Sequence, residues 1–185
     1  MINNNGKIGK CYSFDGTDDW IQWSINKENY GNKPLSFCCW FKSDKSKSTG
    51  CIMDIAADLC LGYNYNSNNV TFYYWRVYGT SSSRSGDSNT TTNSFDANLW
   101  HHIAVVYDNT TNKIYVDGIL QNTWQSKSQA YWVPLLGASY NKLSIGKSAG
   151  STTWIGGLVN DARIYDHALS EKEVEEISKG LVLHY

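Results

Sequence analysis

Residues 100–124 constrain the fold more than any other stretch of the chain. Trp100-His101-His102-Ile103-Ala104-Val105-Val106-Tyr107 reads as a β-strand, and it is closed by the polar loop Asp108-Asn109-Thr110-Thr111-Asn112. The return strand Lys113-Ile114-Tyr115-Val116 runs into Asp117-Gly118, a pair that favours the positive φ angles of a type I′ turn, and Ile119 to Trp124 then reads as a third strand. A three-stranded antiparallel meander follows, and it needs a second layer to cover its apolar face.

The remaining sequence supplies that layer. Further strands are expected over 11–14, 20–24, 35–42, 51–55, 59–63, 70–78, 142–146 and 158–165. The chain is rich in Asn, Ser, Thr and Gly, and its aromatics include eight Trp, a mixture that suits strands and turns better than helices. With so many short strands, the expected fold is all-β, a two-sheet antiparallel sandwich. One segment is helical: Ser170-Glu171-Lys172-Glu173 spells a capping box, Val174 and Ile177 share a face, and Gly180 ends the helix. The Ser-rich run 79–93 holds almost no apolar residue and reads as a long surface loop.

Charge and composition exclude several classes of function. A net charge of -1, with Lys and Arg scattered rather than clustered, offers nothing to neutralise phosphates, so nucleic acid is not an expected partner. No apolar stretch approaches the ~18 residues of a membrane helix, so membrane insertion is not expected either, and the polar start Met1 to Asn5 is not that of an export signal. The five Cys contain no C-x-x-C pair, and no phosphate loop, H-E-x-x-H or Ser-nucleophile motif is present.

Four separated motifs resemble one known family. They are Gly6 to Lys10 leading to Phe14-Asp15-Gly16-Thr17-Asp18-Asp19-Trp20; Leu35-Ser36-Phe37-Cys38-Cys39-Trp40; the 100–107 strand with Tyr115-Val116-Asp117-Gly118; and Gly156 through Ser170. Their order and spacing resemble the laminin-G-like jelly rolls of the concanavalin A-like lectin/glucanase superfamily, found in bacterial surface and phage tail proteins. The resemblance implies a jelly roll over residues 1–180. The stretch 181–185 looks like the family's opening strand, so it either completes the sandwich or begins a following module of a longer chain.

The resemblance also implies a site. In that family the acidic loop and the start of the last long strand can meet around calcium, which here implies Asp15, Asp18, Asp19 and Asn160 as ligands. The alternative for the same loop is an Asx-turn whose carboxylates bond nearby backbone N–H groups. Trp40, Trp100 and Trp23 are expected in the core between the sheets. Trp75 with Arg76 and Tyr78, together with Trp132 and Trp154, are the candidates for stacking on a sugar, against the reading that such aromatics merely alternate across a strand and cover loops. His101 and His102 face opposite ways on a strand and are structural. Cys51 and Cys60 sit symmetrically about a hairpin and are candidates for a disulfide, against reduced, buried thiols.

The superfamily's glucanases place two Glu and an Asp at alternate positions of one strand. This chain has five Glu, four of them in the terminal helix, and no such cluster, so it is not expected to be an enzyme. The expected function is a non-catalytic, lectin-like module of a phage tail or bacterial surface protein, extracellular, with a cell-surface glycan or polysaccharide as partner beside the neighbouring modules of its chain. Two alternatives stand: a structural spacer or protein-interaction domain without a glycan ligand, and a carbohydrate-binding appendage of a glycoside hydrolase.

Overall fold

The computed structural model describes residues 2–25, 33–55, 59–80, 83–125, 142–148 and 153–180, with side chains given outside 74–87. In chain order the strands are β1 (Ile2–Asn3), β2 (Cys11–Asp15), β3 (Ile21–Ser24), β4 (Leu35–Ser43), β5 (Thr49–Ile55), β6 (Leu59–Asn66), β7 (Asn69–Thr80), β8 (Ser83–Thr90), β9 (Phe95–Asp96), β10 (His101–Tyr107), β11 (Thr111–Val116), β12 (Ile119–Gln125), β13 (Lys142–Ile145) and β14 (Gly156–Tyr165), followed by helix α1 (Glu171–Ser178). The first sheet has the order β1-β2-β14-β4-β10-β11-β12; the second runs β3-β13-β5-β6-β7-β8, with β9 also on β7. The expected meander forms the β10-β11-β12 end of the first sheet, and Asp117 and Gly118 both take positive φ, 53° and 81°.

The main core lies between the sheets. Phe37, Phe41, Ile103, Val105, Ile114 and Val159 from one sheet meet Ile52, Ile55, Leu61, Tyr63, Phe72 and Leu143 from the other. Phe41 is its aromatic centre, with the Tyr63 ring 4.7 Å and the Phe72 ring 6.4 Å away. A second apolar layer sits on the outer face of the first sheet, where Cys38, Ala104, Val106 and Tyr115 are roofed by Leu169, Val174 and Ile177. Helix α1 is therefore the lid of that layer, and β10 is buried on both faces, which is why its sequence is a nearly unbroken apolar run. The capping box is present: Ser170 Oγ accepts from the Glu173 N–H, and Glu173 Oε2 accepts from the Ser170 N–H at 2.7 Å.

Three expectations need correction. Much of the run 79–93 is not a loop, because Ser83–Thr90 forms β8 and pairs along its length with β7. A strand needs its backbone groups paired, and an edge strand needs no apolar face to achieve that, so alternation gave no signal there. Trp40 is buried, but on the outer face of the first sheet rather than between the sheets. It alternates with the core residues Cys39 and Phe41, and its ring meets His102 edge-on at 5.4 Å beneath the Lys7 ammonium. Trp23 shares the inward side of β3 with Ile21, yet is 44% exposed, since it stands at the mouth of the sandwich in a cleft shared with Tyr12, Val159 and Asn160. The stretch 181–185 lies outside the described residues; β1 occupies the edge of the first sheet beside β2.

Candidate functional site

The outer face of the second sheet carries a depression lined by described residues. On β6 the core residues Leu59, Leu61 and Tyr63 alternate with Cys60, Gly62 and Asn64, which therefore face outward. On β5 the register shifts between Cys51 and Met53, so that Cys51 falls opposite Gly62 and Asp54 opposite Cys60. Those residues floor a depression of about 410 Å³ lined by Cys51, Cys60, Asn64, Tyr73, Ser88, Thr90, Ser148 and Thr153.

Tyr73 is the aromatic platform of this depression. It pairs with Gly62 across the strands, and a Cβ at position 62 would overlap its ring, so the glycine lets the ring lie against the sheet. Its hydroxyl donates to the Gly50 carbonyl at 3.3 Å, and burial pushes the phenol pKa up, which keeps it neutral. Around the ring the lining is hydroxyl and amide: Asn64, Ser88, Thr90, Ser148 and Thr153. An aromatic face surrounded by neutral donors and acceptors suits a neutral, polyhydroxylated ligand better than an ion.

Beneath the floor, Asp54 is fully buried, and Ser148 Oγ donates to its Oδ2 at 2.9 Å. Cys51 and Cys60 are disulfide-bonded with Cα atoms 6.1 Å apart, within the range a bridge requires. Because of the register shift they are diagonal neighbours, not the directly opposed pair that symmetry about the hairpin suggests.

The sugar-stacking candidates fall in three places. The backbone of Trp75 lies at the register position between Cys60 and Ser88, two residues along β7 from Tyr73, while Arg76 pairs with Leu59 and Asp87, and Tyr78 with Ser85; their side chains are outside the description. Trp132 also lies outside the described residues. Trp154 is part of a different group: it bridges to Lys147, whose ammonium stands 4.3 Å from the Trp154 ring and 5.0 Å from that of Trp20.

The four calcium candidates do not converge. Asp15 Oδ1 accepts the Thr17 N–H at 2.8 Å and the Asp18 N–H at 3.4 Å, and Asp19 Oδ2 accepts the Asp15 N–H at 3.2 Å, which is an Asx-turn. The Thr17 bond, followed by those of its neighbours, holds the Asp15 carboxyl below the usual carboxylate range. Asp15 pairs with Gly156 on β14, so Asn160 is four residues further on, about 13 Å along the strand. There its amide is committed to backbone: Oδ1 accepts from the Ile8 N–H at 2.7 Å, and Nδ2 donates to the carbonyls of Lys10 at 2.7 Å and Ile8 at 3.2 Å. Asn160 pins the 6–10 loop, and this donor set does not fit one shared calcium ion.

Sequence reading missed Asn64, Ser88, Thr90, Ser148 and Thr153, since isolated polar residues at strand positions have no spacing that distinguishes them. The signal within reach was Gly62, a glycine within the apolar stretch 59–63, which marks a close approach by another group.

Comparison with known proteins agrees with this architecture. No curated protein sequence matches the chain significantly. Among solved structures, domain 4 of AbnA, a GH43 extracellular arabinanase from Geobacillus stearothermophilus in complex with arabinotriose, superposes with a TM-score of 0.68 at 19% identity, over 96% of this chain and 80% of that one. The CBM40 of the Ruminococcus gnavus IT-sialidase, bound to alpha2,3 sialyllactose, gives 0.67 at 10% identity, covering 91% and 96%. The heptameric SAP-like pentraxin of Limulus polyphemus gives 0.61 at 14% identity, covering 90% and 80%. A laminin-G type family model matches residues 15–175, nearly the whole sandwich, and the chain belongs to the concanavalin A-like lectin/glucanases superfamily.

Proposed function

We propose that this chain is a non-catalytic carbohydrate-recognition module whose binding face is the outer surface of the second sheet. The observation that carries the reading is the 410 Å³ depression, with the Tyr73 ring on its floor and neutral amide and hydroxyl groups around it. A sugar ring laid on Tyr73 presents its apolar C–H face to the aromatic and its hydroxyls to Asn64, Ser88, Thr90 and Thr153. Trp75 takes the register position between Cys60 and Ser88, two residues along β7 from Tyr73, and is tested with it below. The arabinotriose bound to the arabinanase domain and the sialyllactose bound to the sialidase CBM40 support the ligand class.

The described carboxylates also support recognition without catalysis. Glycoside hydrolysis takes two carboxyl groups on either side of the scissile bond. Among the described side chains the carboxylate nearest this floor is Asp54, fully buried and held by Ser148, while four of the five Glu belong to the α1 segment on the far side of the first sheet. A single shallow site of this kind binds weakly, and repeated copies in a fibre or a tandem array raise avidity. A phage tail or a bacterial surface protein, outside the cell, supplies that repetition.

The test is a glycan array probed with the purified chain in calcium and again after chelation, with Tyr73→Ala and Trp75→Ala alongside. Reproducible hits that survive chelation and weaken several-fold in Tyr73→Ala are expected. Binding lost on chelation would mean a calcium-dependent site built from groups other than the neutral lining of this depression. No binding to any glycan would leave the spacer reading.

A further inference from the structure

Cys51, Asp54 and Cys60 form a ligand set that carbohydrate binding does not use. One ligand atom from each lies within 4.8 Å of the other two, and the three residues are 1%, 0% and 5% exposed. Once the disulfide is reduced, two thiolates and one carboxylate oxygen are the donor types of a tetrahedral site for a thiophilic divalent cation. Asp54 has the outer support a metal-bound carboxylate takes, since Ser148 Oγ donates to Oδ2 at 2.9 Å and fixes its orientation. The depression above, lined by both cysteines and by Ser148, leaves one side of the cluster open to a fourth ligand, a water molecule.

We infer that Cys51, Asp54 and Cys60 are a redox-gated zinc-type site, in which the disulfide and the metal-bound dithiolate are alternative states of one sulfur pair. The conversion balances in two steps. A phosphine reductant gives two electrons to the S–S bond, and one water molecule supplies both the two protons of the resulting thiols and the oxygen with which the phosphine leaves as its oxide. Zinc(II) then binds both sulfurs as thiolates and expels those two protons, with Asp54 as the third protein ligand. The free thiols Cys11, Cys38 and Cys39 take no part: Cys39 is in the main core and Cys38 in the layer under α1, both with thiols pushed up by burial, Cys38 to about 12. The register shift on β5 is what creates the cluster, because it brings Asp54 opposite Cys60 while Cys51 stays on the same face.

The test uses the whole chain, reduced with a water-soluble phosphine, freed of it without air and titrated with cobalt(II), whose thiolate charge-transfer absorption reports sulfur ligation. One cobalt per chain, displaced by zinc and absent from the oxidised protein, is expected. Ser148→Ala weakens zinc binding by about 10- to 100-fold, and Cys51→Ser abolishes the charge-transfer band. A second readout needs no variant: in the reduced wild-type chain, zinc slows alkylation of Cys51 and Cys60, located by peptide mass. A reduced, folded wild-type chain that takes up no stoichiometric cobalt, or uptake undiminished in Cys51→Ser, overturns the assignment. Alkylation of Cys51 and Cys60 at the same rate with and without zinc overturns it too.

Discussion

His101 and His102 are adjacent on β10, yet their environments drive them in opposite directions. His101 sits by the core aromatics Phe72 and Phe95, with Nδ1 2.8 Å from Asp117 Oδ2 and Nε2 2.9 Å from the Asp96 carbonyl. Both partners are acceptors, so the geometry asks for the doubly protonated ring. Burial alone would lower its pKa, but the bond to Asp117, then that to Asp96, outweighs it and the pKa is raised. The stabilisation is therefore complete below the ordinary histidine value and is lost as pH rises through the raised one. His102 faces the other way, under Trp40, with neither ring nitrogen bonded, and burial lowers its pKa to about 4. Its contribution is present above the ordinary value near 6.5 and is lost as pH falls toward 4, a change of about 3 kcal/mol. Urea unfolding from pH 4 to 8 separates the two. His102→Leu flattens the acid side of the stability curve and His101→Gln the alkaline side; an acid limb unchanged in His102→Leu contradicts this account. Also at the residue scale, Asn160→Ala removes three side-chain bonds to the 6–10 loop and costs about 2 kcal/mol, seen as a lower urea midpoint and faster amide exchange at Ile8.

Among the elements, α1 has the most testable energetics. It is eight residues long, too short to persist alone, so its stability comes from Val174 and Ile177 on the outer layer of the first sheet and from its cap. Ser170→Ala is expected to cost about 1 kcal/mol, and Ile177→Ala about 2 to 5 kcal/mol, both read from denaturant midpoints. Strand β8 calls for a different measurement. As an edge strand it pairs on one side only, with β7, so hydrogen exchange over residues 83–90 is expected to show slow amides alternating with fast ones. Uniformly fast exchange there would mean that the segment is not a paired strand in solution.

At the scale of the whole molecule, the fold consists of two apolar layers that share the first sheet, and removing one exposes the other's back. A chain lacking residues 170–185 uncovers Cys38, Ala104, Val106 and Tyr115, and is expected to bind a hydrophobic dye and to lose its cooperative melt. Because the four calcium candidates do not converge, calcium and chelator are expected to leave the melting temperature unchanged; a rise of several degrees in calcium would show a site built from other groups. The all-β class, the meander with its Asp117-Gly118 turn, the capped helix and the opposed faces of His101 and His102 were legible in the sequence, because each depends on residues a few positions apart. Local alternation, turn chemistry and capping are short-range physics, and the order of four motifs was enough to indicate the family. What lay beyond the sequence depends on contacts between distant segments. A one-residue register shift on β5 decided which cysteine meets which neighbour, Gly62 became a seat for Tyr73 only when β7 came alongside β6, and Asn160 was committed to the backbone of Ile8 and Lys10, about 150 residues away, rather than to the acidic loop. Register and cross-sheet packing are set by the free energy of the assembled sandwich, so only the tertiary structure could choose among partners that the sequence left equally available.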